Sequence, residues 1–240
     1  MNRSDTLCGY NRFIMKQERR FYYFLRDFSF FVLILILGGC SKKERVFENQ
    51  SSIPSYVPTN HAGIPVLPAS IQRVVLLPAF WHQDSSAAFL DNLDLTLTDE
   101  LNKTNLVEVV PVSRQELNDL FGKRQFATYG VFPSGFFNKL RVKYAADAVI
   151  FIDLTSYRAY KPINIGIRAK MVNSLSGESM WAFDTTFDVG DPSIAMGATR
   201  YATLRDTSPY PLDASSPILM SPRLFSRYVA FMTFSTLPPR

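Results

Sequence analysis

The run Arg73-Val74-Val75-Leu76-Leu77-Pro78 constrains the fold more than any other stretch of this chain. It is apolar, β-branched and without polar alternation, the pattern of a central strand buried on both faces. Such a strand needs covering layers on each side of a sheet, and the following residues supply them. After a loop with Trp81 and His82, Ser85 or Ser86 is placed to cap a helix on which Phe89, Leu93, Leu97 and Leu101 recur at four-residue steps. Leu106–Pro111 reads as a second strand. Ser113 and Glu116 have the spacing of a capping box, opening a short helix with Leu117, Leu120 and Phe121. Residues 122–134 read as a loop, and Ser134 is the expected cap of a helix through Phe137, Leu140 and Tyr144. Asp147–Leu154 leads a third strand. Asn164–Asn173 alternates Ile165, Ile167, Ala169 and Met171 on one face, and Ser179–Val189 alternates again. With the turn at Ser174–Glu178, these two form a β-hairpin. The order β-α-β-α-α-β-β-β predicts the α/β class, a single mixed sheet with helices packed on it.

The bulk numbers agree with a globular body: 240 residues, 47% hydrophobic and 20% charged. The formal charge of +5 invites a nucleic-acid reading, but the charge is unevenly placed. Six of the 26 bases and three of the 21 acids precede Cys40, so the chain from Cys40 onward carries only +2. The cationic start belongs to a different pattern. A basic stretch ending at Arg26 precedes the apolar run Phe28–Leu37, two small residues and a cysteine. That run fits the roughly 7–15 residues of a signal h-region and falls short of the roughly 20 needed to span a bilayer. The competing reading is a short anchor that is never cleaved.

Leu37-Gly38-Gly39-Cys40 resembles the lipobox of bacterial lipoproteins. Gly38 and Gly39 let an extended chain enter a protease cleft, and Cys40 offers a thiol for thioether attachment. The resemblance implies residues 1–39 as a signal peptide, a diacylglycerol and an N-acyl chain on Cys40, and no other cofactor. Ser41, where enteric lipoproteins retained in the inner membrane carry aspartate, implies the outer membrane, with the inner membrane as the alternative. Met15 would give a 25-residue signal, so the start lies at Met1 or Met15; in the second case Cys8 is never made. Residues 40–70, with Pro54, Pro58, Pro65 and Pro68 and no apolar period, read as the lipidated Cys and a flexible tether. An irregular strap packed on the domain is the alternative for its Pro-rich end. The domain proper is expected over 71–190, followed by a helical and Pro-rich extension over 191–240. Within that extension, residues 193–204 are helix-compatible. Ser221-Pro222 is an N-cap followed by proline at N1, opening a helix with Phe225, Tyr228, Val229 and Met232 on one face.

The strand ending in Leu77-Pro78, the Leu-Thr-Asp-Glu-Leu of 97–101 before a Val-Glu-Val-Val strand, Tyr-Ala-Ala-Asp-Ala-Val-Ile at 144–150 and the segment 169–182 run in an order that resembles the TolB amino-terminal-like superfamily. Its lipoprotein members include the curli secretion component CsgG, the penicillin-binding-protein activator LpoB and the flagellar outer-membrane protein FlgO. The likeness covers about half the chain, roughly 71–190, and implies a periplasmic α/β domain. Its motifs are signals of fold: Asp147 caps or turns into its strand, and Gly177 permits the hairpin turn.

Catalytic constellations are not visible. His61 and His82 have no ligand at helical or hairpin spacing, so neither a catalytic nor a metal site is assigned. Asp91, Asp94, Asp99 and Glu100 form one carboxylate cluster, expected to be a solvated helix face. Lys139, Arg141 and Lys143 are expected to be a solvated face as well, which argues against nucleic acid. Phe80 and Trp81 would mark a partner contact if exposed at the strand's carboxyl end. The expectation is a non-enzymatic lipoprotein, anchored in the membrane by lipid, whose domain binds an envelope protein as adaptor or activator; oligomerisation stays open. The alternatives are a secretion or pore component resembling CsgG and a cell-envelope hydrolase.

Overall fold

The computed structural model describes residues 56–82, 87–205 and 217–240. The readings of Met15, Leu37, Gly38, Gly39, Cys40 and Ser41, and of Ser85 and Ser86, lie outside the described residues.

A six-stranded mixed sheet runs in the order β1-β6-β5-β4-β2-β3. Its strands are β1 (His61–Gly63), β2 (Arg73–Leu76), β3 (Glu108–Pro111), β4 (Ala148–Arg158), β5 (Asn164–Asn173) and β6 (Ser179–Asp188). β2 is parallel to both β3 and β4, whereas β4, β5, β6 and β1 are successively antiparallel. Helices α1 (Ala87–Asn102), α2 (Arg114–Phe121), α3 (Phe136–Tyr144), α4 (Pro192–Arg205) and α5 (Pro222–Phe234) pack around it.

The apolar runs split by parity onto two faces, as the pleat requires. Val74, Leu76, Ala148, Ile150, Ile152 and Leu154 meet Leu93, Leu97 and Leu101 of α1 and Phe225, Tyr228 and Val229 of α5. Val75, Leu77, Val149 and Phe151 point the other way, onto Leu117 of α2 and Phe136 and Leu140 of α3. The strand read as buried on both faces is so because its parallel neighbours return through helices on opposite sides. Asp147 ties the two central strands: its Oδ2 accepts from the N–H groups of Gln72 (2.8 Å) and Arg73 (2.9 Å).

The hairpin of β5 and β6 forms where expected, with Gly177 at φ +74° in its turn. The capping box is present in both directions: Ser113 accepts from the N–H of Glu116, and the Glu116 carboxylate accepts from the N–H of Ser113. Ser221 caps α5. The cap expected at Ser134 is corrected: α3 starts one residue later, at a Gly135 N-cap with φ +70° and no side-chain hydrogen bond. A left-handed backbone reverses the chain there without help from a hydroxyl.

Two segments placed outside the 71–190 domain contribute to its body. Residues 61–63, at the Pro-rich end of the predicted tether, pair with Trp181–Phe183 of β6, and Leu67 is buried beside Ile71. From the carboxyl-terminal extension, α4 and α5 cover β5, β6 and α1, and the indole N–H of Trp181 donates to Thr236 at 3.1 Å.

Candidate functional site

Helices cover one face of the sheet along its length, but α2 and α3 cover only the β3-β2-β4 half of the other. On the remaining half, β5 presents Asn164, Gly166, Arg168 and Lys170, and β6 presents Ala182, Asp184, Thr186 and Asp188, the side of each strand opposite its apolar alternation. The register stacks these into transverse rows. Asp153 of β4 lies opposite Arg168 of β5, which lies opposite Asp184 of β6. The next row is Phe151, Lys170, Ala182 and Ala62. Between the rows runs a cleft of about 540 Å³ lined by Asn60, His61, Ala62, Thr128, Tyr129, Arg168, Lys170, Ala182 and Asp184.

Its charges are largely matched. Arg168 donates to Asp184 from Nε (2.8 Å), and its Nη2 lies 2.8 Å from the same oxygen. The ring of Tyr129 lies 5.9 Å from the Arg168 guanidinium. Asp153 is 2% exposed and accepts from both the N–H and the hydroxyl of Thr128. Burial raises its carboxyl above the ordinary range against those hydrogen bonds. This contact pins the 122–135 loop over β4, so Thr128 and Tyr129 form the wall of the cleft. Arg158 pairs with Asp188 at 3.0 Å. The side chain of Lys170, a half-buried residue, makes no ion pair or hydrogen bond among the described residues. The opposite parity of Asn164–Asn173 carries this signal in the sequence, but the charge matching depends on cross-strand register.

A second polar node closes the carboxyl ends of β2 and β3. Arg114, at the start of α2, donates to Asp94 Oδ2 (2.8 Å), the Ala79 carbonyl (3.0 Å) and Gln125 Oε1 (3.2 Å). Asp94 Oδ1 accepts from the N–H of Ala79 at 2.7 Å. Gln125 brackets Trp81 by accepting from its N–H and donating to its carbonyl. The solvated helix face expected for the α1 carboxylates is therefore corrected for two of them. Asp91 and Asp99 are exposed. Asp94 is drawn inward by Arg114, and Glu100, 3% exposed, receives Lys103, Tyr201 and Arg205. Lys103 is three residues from Glu100, but Arg114, Tyr201 and Arg205 lie 20 to 105 residues from the carboxylates they meet, beyond the reach of helical spacing.

Trp81 is buried in the larger core, so it cannot serve as the exposed half of a contact patch; its indole N–H has no partner among the described residues. Phe80 is half-buried, and its backbone bridges to β4 at Asp153. His61 and His82 are exposed and lie apart in the chain, and no group of three metal-ligating side chains occurs among the described residues. Lys139, Arg141 and Lys143 are exposed on α3.

Burial pushes the Asp94 carboxyl up to about 6, overcoming Arg114 and the Ala79 N–H. A carboxylate raised in the folded state favours folding most when protonated. Its contribution is thus full below its ordinary value of 3.8 and is lost as pH rises to about 6. Glu116 and Asp188, lowered by hydrogen bonds at Ser113 and Gly190, act oppositely and at more acid pH. Urea midpoints of the wild type and Asp94→Asn should therefore diverge between pH 4 and 6, the wild type losing ground as pH rises. A difference independent of pH would show that Arg114 keeps Asp94 ionised throughout.

These features define an α/β domain with one half-open polar sheet face. No family model and no curated protein matches the chain. Among solved structures, it is similar to the PelC dodecamer of Paraburkholderia phytofirmans (11% identity, 75% of this chain and 96% of that one, TM-score 0.40). It is also similar to lipoprotein GNA1162 of Neisseria meningitidis (17%, 55% and 95%, TM-score 0.36). A third is the hypothetical protein CT253 of Chlamydia trachomatis (11%, 68% and 93%, TM-score 0.43).

Proposed function

We propose that this chain is a lipoprotein, anchored through Cys40 in the outer membrane, whose periplasmic α/β domain binds a protein partner of the cell envelope without turning over a substrate. The observation that carries the reading is the ordered series of basic stretch, ten-residue apolar run and Leu37-Gly38-Gly39-Cys40. Each part alone is common; the series in this order and length is what export and lipid attachment require. The resemblance to the TolB amino-terminal-like superfamily belongs to the same reading. A half-open, charge-patterned sheet face gives the domain a surface on which a partner can be held.

Cys40→Ser tests the anchor. The wild type is expected in the membrane fraction with incorporated palmitate, and the variant released or mislocalised and unlabelled. Unchanged fractionation of the variant overturns the anchor. For the partner, a photo-crosslinking residue at Tyr129 in intact envelopes should trap one reproducible protein species; no such species counts against adaptor function.

A further inference from the structure

We infer that the α2–α3 layer is a membrane-docking face, which lays the outer side of α3 on a bilayer containing anionic phospholipid. This goes beyond the partner-binding reading above and rests on its lipid anchor only for proximity to a bilayer.

Charge is unequally distributed over the domain. Residues 56–240 contain 17 Lys and Arg against 16 Asp and Glu, but 114–144 alone hold six against two, so the remainder has 11 against 14. Arg114 is turned inward to Asp94. The other five, Lys123 and Arg124 after α2 and Lys139, Arg141 and Lys143 on α3, are exposed and in no ion pair among the described residues. Packing brings them together: Lys139 Nζ lies 5.6 Å from the Phe121 ring at the end of α2, next to Gly122 and Lys123. Three acids border them. Glu116 is held in its capping box, Asp119 accepts from Gln115 at 2.9 Å, and Glu178 in the hairpin turn accepts from Ser176 at 3.1 Å. An excess of positive charge remains.

Apolar side chains stand among these cations. Because α3 buries Phe136 and Leu140, Asn138 and Val142 lie on its outer side, and Val142 is 77% exposed between Arg141 and Lys143. Arg141 borders a cleft of about 410 Å³ with Phe132, Phe137 and Leu175. Leu175 is 77% exposed, and Val131, next to Phe132, is 94% exposed. A lipid interface takes both classes at once, the cations at phosphates and the apolar groups at the acyl boundary. An acidic protein would answer the charges but would need a fitted recess for each apolar group. Each Lys or Arg near an anionic surface strengthens binding about fivefold, and the attraction fades within a Debye length of about 8–10 Å, so the layer against the bilayer dominates. Between Cys40 and Tyr56 lie 15 residues, at most about 55 Å of chain. Such a link holds the domain near the bilayer without fixing which side meets it, and the charge asymmetry makes that choice.

Full-length protein would be reconstituted into phosphatidylcholine vesicles with or without about 30% phosphatidylglycerol. An environment-sensitive fluorescent amino acid would replace Val142 or, as a control on the opposite side of the sheet, Leu204 of α4. The Val142 probe is expected to shift to the blue and to be quenched by nitroxide-labelled lipid in anionic vesicles alone, and to revert in about 1 M salt. The Leu204 probe should not respond. Lys139→Gln, Arg141→Gln and Lys143→Gln together should lower the ratio of docked to undocked protein about a hundredfold, and Arg141→Gln alone about fivefold. Lys139→Arg with Lys143→Arg should retain docking. No response at Val142, an equal response in neutral vesicles or at Leu204, or wild-type docking in the triple variant overturns the inference. So does a photo-crosslinking residue at Val142 that captures an envelope protein in place of lipid. Flotation reads the anchor separately. Protein that floats only with anionic vesicles, with the Val142 response, has the docking face without the anchor. Protein that floats with both kinds of vesicle and gives no Val142 response has the anchor without the docking face.

Discussion

Phe136→Ala is expected to destabilise the domain by about 3–5 kcal/mol, measured as a shift in urea unfolding followed by far- and near-UV circular dichroism. Phe136 is 2% exposed and sits at the centre of the smaller core. Its ring centroid lies 4.7 Å from Phe121, 4.8 Å from Phe126, 5.0 Å from Phe132 and 5.4 Å from Phe137. Those rings come from α2, α3 and the loop between them, so one side chain joins the layer, which meets Phe151 of β4 through Phe132 (5.1 Å), Phe136 (6.1 Å) and Phe137 (6.2 Å). The helix that carries it has little support of its own. It is nine residues long, lacks a side-chain cap and ends at Ala145 in a left-handed conformation. Isolated helices of this length are marginal in water, so packing must hold it. The loss should also reach the cleft on the open sheet face. Phe126 and Phe132 flank Thr128, whose N–H donates to Asp153 at 2.8 Å, and hydrogen exchange of that amide should accelerate in the variant. A cost below about 1.5 kcal/mol would mean the layer is held by contacts other than these rings.

Much of this architecture was legible because its causes are local. The unbroken run Arg73–Pro78, the alternation of Ile165, Ile167, Ala169 and Met171, and the Ser113–Glu116 and Ser221-Pro222 caps each act within a few residues, and each reads as it folds. What escaped is what distant partners decide. His61-Ala62-Gly63 has no strand propensity and becomes β1 only because β6 offers a free edge. Asp94 and Glu100 look like solvent-facing helix residues until Arg114 and Arg205 arrive from other elements. Ser134 is the better capping residue in isolation, but the turn demanded positive φ, and Gly135 supplies it. The candidate site was hidden for the same reason. The apolar parity of β5 does not reveal what Arg168 and Lys170 meet; the register across three strands sets Arg168 between Asp153 and Asp184, and Lys170 between Phe151 and Ala182.

Gly197→Val should cost about 3 kcal/mol, against a helix-propensity scale that mildly favours it. Gly197 lies in α4 facing α5, where a Cβ would fall on the Tyr228 hydroxyl and 3.2 Å from Tyr228 Cζ. The ring cannot retreat. Tyr228 is 1% exposed, with Phe187, Tyr201 and Phe225 at centroid distances of 6.1, 5.8 and 6.0 Å. Its hydroxyl has no hydrogen-bond partner among the described residues, so Tyr228→Phe removes the colliding atom without breaking a bond. That change alone should be neutral or stabilising by up to about 1 kcal/mol. A cycle with Gly197→Ala then separates packing from propensity. In the wild type, alanine should destabilise, because overpacking of about 1–3 kcal/mol exceeds the propensity gain of about 0.5–1 kcal/mol. In the Tyr228→Phe background the oxygen is gone and only the 3.2 Å approach to the ring Cζ remains, so the same alanine should cost clearly less. The expected coupling is about 1 kcal/mol or more, in the direction of a smaller alanine cost when the hydroxyl is absent. Strictly additive effects would show that α4 shifts to make room, and that Gly197 is not what sets the spacing between the two helices.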